Sequence, residues 1–482
     1  MLGTLGALVV APSCGGRSSL GLMQRAQANG GSVSLGGGVG RGGQPNGGTG
    51  VAGVGLGVPI PDGGRGGDSG GAAGRAGGAA GAPTAGMAGV APVVTALALG
   101  MDHSCALLDD GSVHCWGAAT RGALGYGNLE TIGDDETVAT AGAVKVGAKV
   151  VALSAGSHMT CALTTSGTVR CWGLGDWGQL GYGNGTDVGD DETPASAGDV
   201  DVGDTVVEIA VGHAHTCARL MGGRVRCWGY GDGRLGYGNV GLIGDDEPPS
   251  SAGDVDVGGT VVALAAGGVH TCALLATGTV RCWGLGNQGV LGYGDTETVG
   301  DDETPAERGD VDVGGPVKQI VAGAQHTCAL LTTGAVRCWG YGGAGRLGYG
   351  NEKNVGDVST PAAAGDIDLG GLATALTTNG DHTCALLTSG KVRCWGDGSD
   401  GKLGYGNTLD VGASASPAAA GDVSLAGVPV AIAAGRMHTC ALFASHAVRC
   451  WGRGAEGEIG YGNPNDIGDD EVPAAVGYVD VF

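Results

Sequence analysis

Positive charge is scarce in this chain. Against 48 Asp and Glu stand only 25 Lys and Arg, leaving a formal net charge of −23. So acidic a surface repels phosphate backbones and anionic lipid headgroups, which excludes nucleic acid as a partner and a lipid surface as a docking site. Long apolar runs are also missing. No stretch approaches the roughly 18 residues a membrane-spanning helix needs. Phenylalanine occurs twice and aromatic residues make up 4% of the chain. Sequence signatures of catalysis are absent too. There is no strained serine elbow, no phosphate-cradling loop followed by lysine, and no asymmetric acid/base pair. We expect no cofactor and no enzyme activity.

What the chain has is cysteine in pairs. Fourteen of 15 cysteines form seven C-x9-C pairs: Cys105 and Cys115, Cys161 and Cys171, Cys217 and Cys227, Cys272 and Cys282, Cys328 and Cys338, Cys384 and Cys394, Cys440 and Cys450. First cysteines follow at intervals of 56, 56, 55, 56, 56 and 56 residues, so one unit is copied seven times. The expected blades are 92–148, 149–204, 205–259, 260–315, 316–371, 372–427 and 428–482. Residues 1–92 carry five Arg and two Asp, which puts 20 basic and 46 acidic residues, or −26, in the repeats.

Residues before the repeats are different material. Residues 15–91 are Gly-rich, lack aromatics and apolar periodicity, and suit a disordered linker. Residues 1–14 hold an apolar run, Leu2 to Val10, then Ala11-Pro12-Ser13-Cys14. This resembles a bacterial lipoprotein signal with Cys14 as the lipidated residue, although no basic residue precedes the run. A lipid on Cys14 is the one membrane attachment expected.

Within a unit, Met159 to Thr164 and Thr168 to Gly173 flank a three-residue loop ending in Gly167, the pattern of a hairpin with a type I turn and a bulge. Counting outward pairs 163 with 169, 162 with 170, and 161 with 171. The cysteines then face each other at a non-hydrogen-bonded position, within disulfide reach. Six units have Gly at the third loop position; the seventh has His446, where strain is expected. An alternating run, Asp199-Val200-Asp201-Val202, reads as a fourth, edge strand with Val inward and Asp outward. Four short strands in each of seven units specify an all-β, seven-bladed propeller. Its ends should meet where blade 7 joins blade 1.

The recurring H-T-C-A-L-L, G-x-V-R-C-W-G and G-x-L-G-Y-G-N segments resemble the regulator of chromosome condensation repeat, over about 390 residues. That resemblance implies a seven-bladed propeller binding another protein on one face. Its members include nuclear guanine-nucleotide exchange factors, ubiquitin ligase modules and a secreted bacterial β-lactamase inhibitor. The cysteine pairs and longer acidic loops depart from the nuclear members.

Groups present in every blade read as scaffold. These are the histidines preceding the first cysteine (His103, His215, His270, His326, His382 and His438, with His158 shifted by one), expected to bond loop backbone, the Trp of C-W-G, and the Tyr of the G-Y-G-N tetrad. Stacking of sugars on the tyrosine ring is the alternative for the last. Five units carry Gly-Asp-Asp-Glu, read as a solvated acidic rim, with calcium at clusters such as Asp190, Asp191 and Glu192 as the alternative. Blades 5 and 6 lack this acidic motif, so the sector with Asp357, Lys353 and Lys402 is expected to dock a partner. Trp177 lies outside the repeat positions and is a further candidate contact. Paired cysteines place the chain in an oxidising, extracytoplasmic compartment, on the cell envelope or secreted. The expectation is a monomeric, non-enzymatic propeller presenting a loop face to a protein or glycan. The alternatives are a polymer-degrading hydrolase or lyase with a site in the channel, and an exchange-factor-like regulator by family analogy.

Overall fold

The computed structural model describes residues 91–482; Cys14, the 1–14 segment and the 15–90 stretch lie outside the described residues. Seven antiparallel sheets of three strands each form a seven-bladed propeller, every sheet built from consecutive strands of one repeat. In blade 2 the inner strand is Val150–Ala155, the middle Met159–Thr164 and the outer Val169–Gly173. A bulge between Val150 and Ala152 interrupts the inner pairing, and all seven blades repeat it at the same place. Such bulges increase twist, which a blade needs as it fans from axis to rim.

The hairpin register is the one counted from sequence: Cys161 opposite Cys171, Ala162 opposite Arg170, Leu163 opposite Val169. Gly167 takes φ +77°, a conformation open to glycine at little cost. His446, at the same place in blade 7, takes φ +65°. Its Nδ1 lies 3.0 Å from the carbonyl oxygen of Val94 in blade 1, a contact across the seam that offsets the strain.

The fourth run does not form a strand. Val200 N donates to Val169 O (2.8 Å), and then Val202 N donates to Val200 O (2.9 Å), folding the chain into a tight turn. The reason lies at the outer strand's free edge. Tyr182 Oη accepts from Cys171 N (3.1 Å) and donates to Cys171 O (3.0 Å), filling the place a fourth strand would take. Val200 and Val202 are still buried. Asp199 faces outward as expected, and it accepts from Arg170 Nε at 2.7 Å.

Blades pack through their repeated side chains. Each Trp of C-W-G is fully buried, and Trp172 Nε1 donates to Ala123 O of the preceding blade (3.0 Å). Arg170 Nη1 likewise reaches Val146 O of blade 1 (2.6 Å). At the seam Trp116 Nε1 donates to Glu458 O (3.0 Å), Arg436 N to Gly100 O (3.0 Å) and Ala139 N to Asp480 O (3.1 Å). The ring therefore closes blade 7 on blade 1 without exchanging a strand.

Candidate functional site

Most repeated groups have structural partners. The cysteines are joined within their hairpins as the spacing predicts: Cys105 to Cys115, Cys161 to Cys171, Cys217 to Cys227, Cys272 to Cys282, Cys328 to Cys338, Cys384 to Cys394 and Cys440 to Cys450. Their Cα atoms lie 4.0–4.1 Å apart, and all 14 residues are buried, so the bonds staple the blades from inside and offer no reactive thiol to a ligand. The tyrosine hydroxyls are tied to outer-strand backbone, and burial pushes each up to about 12. A sugar-stacking ring has no support in that arrangement.

The histidines do not bond loop backbone, as expected from sequence, but the next blade. His215 Nε2 is 2.8 Å from Thr271 Oγ1, and His270, His326 and His382 contact Thr327, Thr383 and Thr439 at 2.7–2.8 Å. Thr271 spends its hydroxyl proton on Arg234 O (3.1 Å), so it must accept from Nε2–H. The ring is thus neutral with Nδ1 unprotonated. Burial dominates the electrostatics and holds His103, His270, His382 and His438 near pKa 3. Glycine three residues before the histidine makes room in five of the six belt blades, with Asn379 at that place before His382: a Cβ on Gly267 would sit 2.7 Å from His270 Cε1. In blade 2 Met159 occupies the belt position, and His158 lies one residue earlier, outside the belt.

Where blades differ, the differences gather at one end of the channel. The two residues after the glycine position that ends each inner strand read Met101-Asp102, Ser157-His158, His213-Ala214, Gly268-Val269, Ala324-Gln325, Gly380-Asp381 and Arg436-Met437. The residue after C-W-G is Ala118, Leu174, Tyr230, Leu285, Tyr341, Asp397 or Arg453. Backbone bonds join these two sets, as in Tyr230 N to Ala214 O (2.9 Å) and Asp397 N to Asp381 O (3.1 Å). The residue before the Leu or Ile that precedes the tetrad is Ala123, Gln179, Arg234, Val290, Arg346, Lys402 or Glu458, all buried.

Ion pairs stitch these positions together. Arg346 pairs with Asp381 (2.6 Å), Arg234 with Asp232 (2.6 Å), Arg453 with Asp102 (3.2 Å) and Lys402 with Asp397 (2.7 Å). Glu458 is 0% exposed, accepts from Glu456 N (2.8 Å), and is pushed up to about 7, chiefly by burial. Below this layer the channel narrows to a cavity of about 60 Å³ lined by inner-strand residues such as Leu99, Ala155, Val211, Ala266, Ala322 and Thr378. Asn379, where the other six blades have glycine, reaches across it, donating from Nδ2 to Leu99 O (2.7 Å).

Of the residues singled out from sequence, Trp177 is 41% exposed and meets Tyr230 of the next blade edge to face, centroids 5.7 Å apart. The Arg234 guanidinium lies 5.1 Å from the Tyr230 ring centre. Lys353 is exposed and Asp357 partly so, its carboxylate capping Val358 N. Lys402 is not on the blade 5–6 surface: it is 1% exposed and bonded to Asp397 and Ser399, because its stem lies under the channel-end loops. Asp190, Asp191 and Glu192 bring carboxylate oxygens within 4.8 Å of one another, as do four other acidic turns. Their glutamates, such as Glu247 at about 7, are pushed up first by burial and then by the adjacent aspartates. Sequence reasoning missed Tyr230, Asn379 and the channel-end ring; departure from the repeat consensus was the available signal.

Residues 64–411 match the model of the RCC1-like domain, and 430–458 match the regulator of chromosome condensation (RCC1) repeat. The ultraviolet-B receptor UVR8 of Arabidopsis thaliana is 30% identical over 376 residues, 77% of this chain and 80% of that one. The human E3 ubiquitin-protein ligase HERC2 is 30% identical over 306 residues, 63% of this chain and only 6% of the ligase. Among solved structures, yeast RCC1 (Prp20) bound to Kap60 matches with TM-score 0.58 at 20% identity, covering 79% of this chain and 84% of that one. Human WBSCR16 matches at TM-score 0.56 and 22% identity, over 70% and 83%. With its seven sheets, its repeat and a family match across most of its length, the chain belongs to the RCC1-like domain family.

Proposed function

We propose that this is a non-enzymatic binding propeller of an extracytoplasmic compartment, which engages a protein partner with the channel-end face. The observation that carries this reading is the distribution of variation. Seven blades repeat one another at the disulfide, tryptophan, tyrosine and nearly every histidine position, yet diverge at three equivalent positions that adjoin one another at one end. Trp177 and Tyr230, exposed together on that side, are the kind of rigid aromatic pair that anchors interfaces. Seven disulfides support an oxidising location and count against a cytosolic exchange factor.

A polymer-cleaving site in the channel fits less well. Glu458 has the raised proton affinity of a general acid, but it is closed off from solvent, and Asn379 spans the cavity beneath. Tyrosines with occupied hydroxyls favour a protein over a glycan.

The test is capture from an envelope and secreted fraction by the immobilised 91–482 propeller. A partner retained by the wild type and lost with Trp177→Ala and Tyr230→Ala supports the reading. Retention unaffected by both substitutions removes this face as the binding surface.

A further inference from the structure

Blade 4 fills a groove that blade 1 leaves open. The groove lies beside the tetrad tyrosine, between the loop that follows it and the short helical turn further on. In blade 4 the last residue of the helix Pro305–Arg308 occupies it. The Arg308 guanidinium carbon lies 4.8 Å from the centre of the Tyr293 ring, Nη2 pairs with Asp295, and Nη1 donates to Glu297 at 3.2 Å. One aromatic face and two carboxylates thus hold a guanidinium against the blade.

Blade 1 has the same frame without the occupant. Tyr126 Oη lies 3.1 Å from Cys115 O and 3.0 Å from Gly142 O, as Tyr293 Oη lies 3.0 Å from Cys282 O and 3.1 Å from Gly309 O. Asn128 caps Glu130 N (2.9 Å) as Asp295 caps Glu297 N (3.1 Å). Glu130 therefore stands where Glu297 does; the other five blades have Thr186, Gly241, Lys353, Leu409 or Asn465 there. Ala141 takes the place of Arg308, and Ala143 that of Asp310. These two truncations leave a cavity of about 460 Å³, walled in part by Tyr126, Asn128, Glu130, Glu136, Thr140 and Lys145. Asn128 lacks the second oxygen of Asp295; Glu136, clustered with Asp134 and Asp135, supplies the second carboxylate instead. Neither Glu130 nor Glu136 has a cation within ion-pair distance among the described residues, Lys145 included.

We propose that the groove of blade 1 is an arginine-binding site, which takes an arginine side chain of a partner protein over Tyr126 and against Glu130 and Glu136, as blade 4 takes its own Arg308. A planar guanidinium suits the ring face better than an ammonium does. The net charge of −23 favours approach of a cationic partner. The site goes beyond the channel-end face and stands or falls separately from it.

The experiment uses the full chain with isotope-labelled tyrosine, titrated with N-acetylarginine N-methylamide, N-acetyllysine N-methylamide and free arginine while ring resonances are followed. The expected result is a saturable shift of Tyr126 with the arginine amide, half-complete in the millimolar range as suits a single exposed cation, and a weaker one with the lysine amide. Tyr349, which has Lys353 where blade 1 has Glu130, should not move. Glu130→Gln should weaken the response about threefold. Ala141→Arg gives blade 1 the residue of blade 4 and should abolish it. Arg308→Ala should do the reverse, emptying the blade 4 groove so that Tyr293 responds alongside Tyr126. Unchanged resonances of the remaining tetrad tyrosines show that each variant is folded. No saturable shift of Tyr126, an undiminished response in Ala141→Arg, a silent Tyr293 in Arg308→Ala, or equal shifts at every tetrad tyrosine overturns the site. A lysine amide that binds as well as the arginine amide overturns the preference for guanidinium. A response to free arginine alone overturns the partner protein as its source.

Discussion

Ser104 Oγ lies 2.6 Å from His438 Nε2, although 334 residues separate them. This is the contact that His215 makes with Thr271 between adjacent blades, here made by blade 7 to blade 1. Ser104 also donates to Glu458 O (3.0 Å), so one hydroxyl of blade 1 holds two groups of blade 7. Closure thus reuses the ordinary bond between neighbours.

Replacing Ser104 with alanine strands the buried imidazole N–H of His438, while Glu458 O keeps Trp116 Nε1 as its donor. It should cost about 1–3 kcal/mol of unfolding free energy, while Ser104→Thr, the residue of the other blades, stays close to wild type. Denaturant titration of both variants measures this. An alanine variant as stable as the parent would show that the seam is held by something else.

His270 makes stability depend on pH in a definite direction. Folded, it stays neutral down to about 3; unfolded, it takes a proton near 6.5. Its contribution is therefore complete above 6.5 and withdrawn as pH falls, by about 1.4 kcal/mol per unit. The stability gap between wild type and His270→Gln should narrow by about 2 kcal/mol between pH 7 and pH 5. Comparing variant with parent cancels the acidic-turn glutamates, whose raised proton affinity works in the opposite sense. A gap that does not change with pH contradicts the neutral assignment.

Each disulfide closes a short hairpin loop. Removing one pair, Cys328→Ala with Cys338→Ala, should lower stability by about 2–3 kcal/mol without opening the ring. Alkylation of the purified chain without reductant, followed by mass measurement, should leave all 14 paired cysteines unmodified. Labelling of these residues would refute the oxidised state and the compartment inferred from it.

Asn379 stands where the other blades have glycine and spans the channel to Leu99 O. Asn379→Gly gives blade 6 the common residue and should still lower stability, by about 1 kcal/mol, through the lost bond. Unchanged or raised stability on chemical denaturation would show the cross-channel bond to be incidental.

The hairpin was legible from sequence because its determinants are local: the spacing of Cys161 and Cys171, and two β-prone runs around a loop ending in Gly167. The fourth run was misread for an equally physical reason. Alternation of Asp and Val was real and Val200 and Val202 are buried, but Tyr182 already occupies the edge they would have paired with. Nothing in a linear pattern shows a hydroxyl competing with a strand. The histidine belt was seen as scaffold, but its partner lies 56 or 57 residues on and becomes visible only once blades are side by side. Lys402 looked like a surface lysine because its local sequence is polar; burial by the loops around it is a tertiary fact. The channel-end ring could have been found by aligning the seven units and marking where they disagree.

Because every sheet takes all three strands from one contiguous stretch, and the seam is bridged by side chains and loop amides, no position in the ring is privileged as a beginning. Circularly permuted versions, with old ends joined and new ones cut at any inter-blade connection, should assemble into the same molecule. A foreign domain inserted at such a cut would be carried at a chosen angle around the axis.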